Sequence, residues 1–436
     1  MKKTFRFLSM AALLVVGAIM TGCSSDDNID NPQQPANKDN VVTLTATVSL
    51  DGGAGTRAIN ETTGAKTFES GKQIAVFYED ESGNLQKAVS TDFTPLTDAT
   101  KATFTVTLST PKSGGKIRYI YPASMAKALD ATPPAYPTAA TIDDVTIDYS
   151  GIFGSQNGTL ETLADYDLAV KDATLSGTDQ PASVTLTNPL AICKFTFKDT
   201  GSNDITSITR LTVSNGTNAY AVSTSGLDGI YVAMKPVASG NIAFTAATAS
   251  KTYFRTVTGK SLVASKLYTN ITVGSMVELA KGNVIGKDGN IYANAAAAST
   301  QAAAVIVYLG SDTKDATFKN GLAIALADEA QSNWSTAKST CEGKTAITGA
   351  KWCLPSQDQW KQMFKANDGN EGSYNDLNTT ITTAGGTTLQ EGAVYWSSSE
   401  LNPGVNACLV DLDGGSAYWG IDDEDHDYRV RACLAF

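Results

Sequence analysis

The chain has 436 residues, 42% apolar and 18% charged, enough for more than one packed core and too apolar for a disordered chain. A formal charge of −11 argues against nucleic acid as a partner, because neutralising phosphates takes clustered Lys and Arg. A single histidine, His426, argues against His-dependent catalysis and multi-His metal sites.

Lys2, Lys3 and Arg6 precede an apolar run, Leu8 to Met20, too short for a stable membrane span, which predicts an export signal over residues 1–22. Residues 26–40, rich in Asp, Asn, Gln and Pro, read as a solvated tether. Val41 to Leu50 then alternates, Val42, Leu44, Ala46, Val48 and Leu50 on one face and Thr or Ser on the other, which predicts a half-buried strand. Asp51 to Gly55 breaks it, leaving Thr56-Arg57-Ala58 in accessible backbone.

Met20-Thr21-Gly22-Cys23 resembles a lipobox, which implies cleavage before Cys23 and lipid attachment to it. Ser24-Ser25-Asp26-Asp27 resembles the acidic tag of lipoproteins carried to the outer face of a Gram-negative outer membrane.

Strand patterns continue over Ile74–Tyr78, Ala102–Leu108 and Lys116–Tyr121, and a low-patterned stretch crosses over at 123–145. A second lobe is expected from about Ala182, with strands at 183–188, 191–197, 205–213, 229–234, 253–257 and 267–273. Cys193 alternates with Ile192 and Phe195 and reads as a buried small hydrophobe. Residues 20–280, with F-x-S-G-K-x-I-x-V at Phe68–Val76 and Y-I-Y-P at 119–122, resemble a fimbrillin-type pilin. The resemblance implies a mainly β fold, a two-lobed Greek-key-type β-sandwich with lobes at 58–180 and 181–280. It also implies Arg-specific cleavage between Arg57 and Ala58, which removes residues 23–57 with the first strand. A strand from a neighbouring pilin subunit would fill the slot, satisfying unpaired backbone groups and an apolar trough.

All five Trp and four of the six Cys follow residue 330, so residues 281–436 read as an unlike domain. Val284–Tyr292 is a hairpin pattern, and strands are expected at 303–309 and 322–326. A helix is expected from Ser332, with Trp334, Ala337 and Cys341 on one face. Another follows Pro355, with Ser356 and Gln359 at capping-box spacing and Trp360, Met363 and Phe364 as its buried stripe. Strands at 394–399, 407–412 and 416–421 and one alternating strand over Tyr428–Phe436 close the domain.

The ordered motifs W-x-x-A-x-x-x-C, W-C-L-P-S-x-x-x-W, Y-W-S-S-S-E and V-R-A-C resemble a bacterial α+β C-type-lectin-like domain, a fold shared by sugar binders, protein binders and formylglycine-generating enzymes. Four cysteines, Cys341, Cys353, Cys408 and Cys433, allow three disulfide connectivities in an exported domain, and without a C-x-x-C pair they make a poor zinc site. The lectin-like resemblance implies Cys341 with Cys433 and Cys353 with Cys408. Asp411, Asp413, Trp419, Asp422, Asp423 and Asp425 are the candidate ligand-binding residues, an aromatic face beside carboxylates that could accept sugar hydroxyls or hold Ca²⁺. Alternatively Trp419 is core and the acidic run a solvated loop.

The sequence therefore predicts a non-enzymatic pilus subunit, a tip adhesin because its final strand looks fixed, assembled by donor-strand exchange, with a head for surface glycans or proteins. It would start as a surface-exposed outer-membrane lipoprotein and end in the fimbrium, with no cofactor beyond Ca²⁺. The alternatives are a permanently lipid-anchored glycan-binding protein and a formylglycine-generating-type enzyme.

Overall fold

The computed structural model describes the backbone of residues 41–50 and residues 68–436, apart from 69, 98–100, 127–141, 146, 148, 150–152, 155, 164–167 and 179–182. The expected signal peptide, Cys23, tether and Arg57–Ala58 cleavage point lie outside these residues.

Strands β1 (Val41–Leu50), β2 (Ala75–Glu79), β3 (Leu85–Val89), β4 (Thr94–Pro95), β5 (Lys101–Ser109), β6 (Lys116–Tyr121), β7 (Ala169–Thr174) and β8 (Ser183–Leu186) form two four-stranded sheets, ordered β4-β5-β1-β8 and β3-β2-β6-β7. Alternation drives β5: Ala102, Phe104, Val106 and Leu108 are buried and the residues between them are not. They share a core with Val76 and Tyr78 of β2 and with Tyr119 and Tyr121 of β6, so the sheets face each other as a sandwich. Val184 and Leu186 of β8 fill the same core, which moves the boundary of the first lobe past the expected residue 180.

The second lobe holds β9 (Ala191–Asp199), β10 (Asp204–Ile205), β11 (Ile208–Ser214), β12 (Ala219–Leu227), β13 (Ile230–Met234), β14 (Val237–Ala247), β15 (Thr252–Leu262) and β16 (Leu267–Glu278). Their order is β10-β9-β16-β15-β14-β11-β12, with β13 on β9. Phe195 and Phe197 meet Phe244 edge to face at 5.0 and 5.9 Å, closing the core between β9 and β14. Cys193 is buried here, and burial pushes its thiol up to about 12, which fits an inert packing role.

The third part holds β17 (Val284–Gly286), β18 (Ile291–Tyr292), β19 (Ala302–Leu309), β20 (Gly321–Ala325), β21 (Glu329–Ser332), β22 (Lys351–Cys353), β23 (Ala393–Asn402), β24 (Asn406–Asp413), β25 (Ser416–Asp423), β26 (Tyr428–Val430) and β27 (Cys433–Ala435). They make sheets ordered β18-β17-β19-β20-β27-β22 and β21-β26-β23-β24-β25. Helix Trp334–Glu342 buries Trp334, Ala337 and Cys341 as expected, although Asn333 and not Ser332 caps it. Helix Gln357–Asp368 carries the full Ser356–Gln359 capping box and buries Trp360, Met363 and Phe364.

Two corrections concern this part. The expected single strand Tyr428–Phe436 is two strands in different sheets, because the chain crosses over at Arg431, whose side chain is fully buried. Nor is the domain a separate body: Ala243, Phe254 and Leu279 of the second lobe share one core with Ile306, Trp334, Trp352 and Leu434. Asn320 Nδ2 donates to Thr212 Oγ1 at 2.9 Å, and Thr256 Oγ1 to the Gly289 carbonyl at 3.1 Å, across the same junction.

Candidate functional site

Two places hold the candidate residues, the slot of β1 between β5 and β8 and the sheet that bears the acidic run. In the slot, β1 pairs antiparallel with β5 from Val41↔Ser109 to Ser49↔Lys101, and parallel with β8 from Thr47↔Ser183 to Leu50↔Leu186. This register sets positions 42, 44, 46 and 48 opposite Leu108, Val106, Phe104 and Ala102, the buried residues of β5. Both neighbours are distant in sequence, so without β1 each would present an unpaired edge over an apolar core.

The second place is the β24–β25 hairpin. Asp413 pairs with Ser416 around Gly414 and Gly415, whose φ values of 57° and 78° are those a tight hairpin turn needs. Side chains alternate across the sheet, and this divides the candidate cluster. Trp419 points toward helix Gln357–Asp368, half-buried against Phe364 at 6.1 Å with Lys361 Nζ 5.1 Å from its ring centre. Asp411 and Asp422 stand on the opposite face, with Asp411 directly across from Tyr418. Tyr418 is 57% exposed and is the open aromatic here, a residue the sequence did not single out.

Asp422 Oδ2 accepts the Tyr428 hydroxyl and lies 3.0 Å from His426 Nδ1, while Oδ1 accepts the Asp423 amide at 2.9 Å. The Tyr428 hydrogen bond above all holds the Asp422 carboxyl below its usual range, and the Asp422 hydrogen bond raises His426. Asp423 accepts Asn406 Nδ2 at 2.6 Å, and Asp413 at the end of β24 and Asp425 on the turn after β25 are exposed. Among the described residues no three His, Cys, Asp or Glu side chains converge on a point that could hold a metal ion. Six to eight oxygens around Ca²⁺ are not what this split cluster offers, so the expected calcium site does not fit.

A charge network centres on Asp328, which is partly exposed, and Arg431, which is fully buried. Asp328 Oδ1 accepts Arg431 Nε at 2.5 Å, and its Oδ2 accepts Arg429 Nη1 at 3.2 Å and the Tyr395 hydroxyl at 3.1 Å. Arg431 also donates to the carbonyls of Ala325 and Thr387 at 3.0 Å. Beside it opens a cleft of about 500 Å³ lined by Lys287, Asp328, Glu329, Lys344 and Trp352, where Lys344 pairs with Glu329 and lies over the Trp352 ring. V-R-A-C was the one signal for this network, and it does not reveal the Asp328 partner.

Among the described residues Cys193, Cys341, Cys353, Cys408 and Cys433 carry no disulfide, and their arrangement differs from the implied pairing. Cys341 packs in the core shared with Trp352 and Leu434, on one face of the β20-β27-β22 sheet. Cys433 and Cys353 belong to the core on the other face. The sulfur beside Cys433 is that of Cys353, at 3.9 Å. Cys408 lies on β24, in the other sheet, opposite Ile421.

No protein-family profile matches the chain, and no curated protein matches it. Among solved structures it is similar to a fimbrial protein from Bacteroides ovatus, at 13% identity and TM-score 0.31, over 92% of this chain and 100% of that one. It is also similar to a fimbrial assembly protein from Parabacteroides distasonis, at 10% identity and TM-score 0.29, over 54% of this chain and 92% of that one.

Proposed function

We propose that the chain is a non-enzymatic pilus subunit and adhesin, matured by cleavage between Arg57 and Ala58, whose head presents the β23-β24-β25 sheet. The observation that carries this reading is the seat of β1, an interior strand held by two sequence-distant neighbours. Cutting after it frees a strand while β5 and β8 remain, and a strand donated by another subunit takes the vacant ladder. Before cleavage the chain is held at the outer membrane by a lipid on Cys23, and afterwards it resides in the fimbrium.

Residues 284–436 are read as a lectin-like head. Its open aromatic–carboxylate face, Tyr418 with Asp411 and Asp422, suits stacking on a sugar with acceptors for its hydroxyls. The strand Cys433–Ala435 is tied at its ends by the Arg431–Asp328 pair and by the Phe436 carbonyl, so it is unsuited to leave as a donor, which favours a position at the filament tip.

N-terminal sequencing of filaments sheared from the cell surface tests the maturation. Assembled chains beginning at Ala58 are expected; assembled chains still carrying lipidated Cys23 would defeat it. Immunogold labelling of the head should mark filament ends, and label along the shaft would remove the tip assignment.

A further inference from the structure

We propose that Cys353 and Cys433 close into a disulfide that staples the interior strand β27 to the edge strand β22. β22 and β27 run antiparallel with Cys353 directly opposite Cys433. Directly opposed residues of an antiparallel pair have Cα atoms about 4.5–5.5 Å apart, inside the roughly 4.4–6.8 Å span of disulfides. The two sulfurs already touch, at 3.9 Å. The bond requires the sulfurs to close from 3.9 Å to about 2.05 Å.

The other partners are placed less well. Trp352 and Leu434, the immediate neighbours of the two cysteines, point to the opposite face of the sheet, and Cys341 packs with them. A bond from Cys341 to Cys433 would have to pass through the sheet. Cys408 lies in the other sheet.

The chemistry balances with an external disulfide as oxidant, such as an envelope thiol–disulfide oxidoreductase or oxidised glutathione. Cys353 is partly exposed and Cys433 fully buried, so Cys353 is the sulfur the oxidant reaches. Contact with Cys433 lowers the Cys353 pKa and raises that of Cys433, so Cys353 is the one of the two that deprotonates more readily. Its sulfur attacks the oxidant's disulfide and expels one thiolate. Cys433 then loses its proton, attacks the Cys353 sulfur of the mixed disulfide and expels the second. Two protons and two electrons leave the pair, and the oxidant becomes two thiols.

The oxidising compartment rests on the export part of the proposed function, so the test separates the two. Full-length protein isolated from cells is reduced in its folded state, then exposed to oxidised glutathione, alkylated and digested without reduction. Mass spectrometry is expected to find a peptide pair joined through Cys353 and Cys433, with Cys341 and Cys408 alkylated. The Cys341→Ser/Cys408→Ser double variant should give the same pair. Alkylation of both Cys353 and Cys433, or links from Cys341 to Cys433 or from Cys353 to Cys408, would overturn the proposal. Failed export would appear separately, as an unprocessed N-terminus on protein missing from the envelope fraction.

Discussion

β1 and β27 occupy the same kind of place, each inside a sheet with a partner on either side: β5 and β8 for the first, β20 and β22 for the second. By ladder alone β1, paired from Val41↔Ser109 to Ser49↔Lys101 and from Thr47↔Ser183 to Leu50↔Leu186, would be the harder to remove, since β27 pairs only over Cys433–Ala435 on each side. They differ at their ends. β27 is entered through Arg431, fully buried and bonded to Asp328 and two backbone carbonyls. It leaves through Phe436, whose carbonyl accepts the amides of Asn320 and Gly321 at 2.8 and 3.2 Å. β1 precedes the Gly-rich segment 51–55 and the basic Arg57, where a cut detaches it from everything that follows. If β1 is exchanged as proposed, what sets it apart from β27 is how each strand is tied at its ends, more than how many neighbours it pairs with.

The largest effect is expected from the tie itself. Arg431→Met keeps the bulk but removes the guanidinium from Asp328, which retains Arg429 and the Tyr395 hydroxyl, and takes the donor from the Ala325 and Thr387 carbonyls; together these lost bonds should cost about 3–5 kcal/mol. Chemical denaturation should show the head melting before the sandwich lobes. An unchanged midpoint would mean that β27 is held by its ladder alone.

Next comes Leu44→Pro, at the centre of the β1–β5 register. A proline removes a ladder donor from an interior strand and should cost the uncut chain about 3 kcal/mol. The same substitution should not change the melting of protein cut after Arg57 and refilled by a donated strand. A loss of equal size in cut and uncut protein would mean that β1 never leaves.

Gly349→Ala probes whether the head is rigidly joined. Gly349 has φ +91°, and an added Cβ would lie 2.6 Å from Ala243 Cβ and 3.3 Å from the Phe254 ring, both in the second lobe. Overpacking of this kind costs about 1–3 kcal/mol. The expected result is two separated thermal transitions where the parent shows one; a single unshifted transition would mean the junction is soft.

Local signals were the ones legible in the sequence. Ser356 with Gln359, the D-G-G hairpin and the alternation of β5 each depend on neighbours within a few residues, and each appears where expected. Helix Asn375–Thr383 went unread because Asn and Thr are weak helix formers. Here Thr379, Thr380 and Thr382 donate to the carbonyls four residues back, and Leu377 and Ile381 supply the buried face. The ligand cluster is divided by the geometry of its own strand. Trp419 and Asp422 lie three apart on one strand, so the alternation that made them a strand also sends them to opposite faces. The Arg431–Asp328 pair spans 103 residues and could not be seen at all.

The smallest expected effect lies in the turn that leads from β25 into β26 and on to the tied strand. Asp422 raises the pKa of His426 above the usual 6.5, first through their hydrogen bond and then through its charge. A raised cationic group contributes its stability in full below the unfolded value and loses it as pH climbs through the folded one. Asp422 is lowered from 3.8, first by the Tyr428 hydroxyl, then by the Asp423 amide, then by His426. A lowered carboxylate contributes above 3.8 and loses that contribution as pH falls through its folded value. The pair is therefore strongest between 3.8 and 6.5, and both groups are exposed enough that solvent keeps the gain small. As the lone histidine, His426 gives an unambiguous NMR titration. Its midpoint should lie above 6.5 in the parent and move back toward 6.5 in Asp422→Asn. A parent midpoint at or below 6.5 would show the turn open in solution, leaving Arg431 and the Phe436 carbonyl as what secures the last strand.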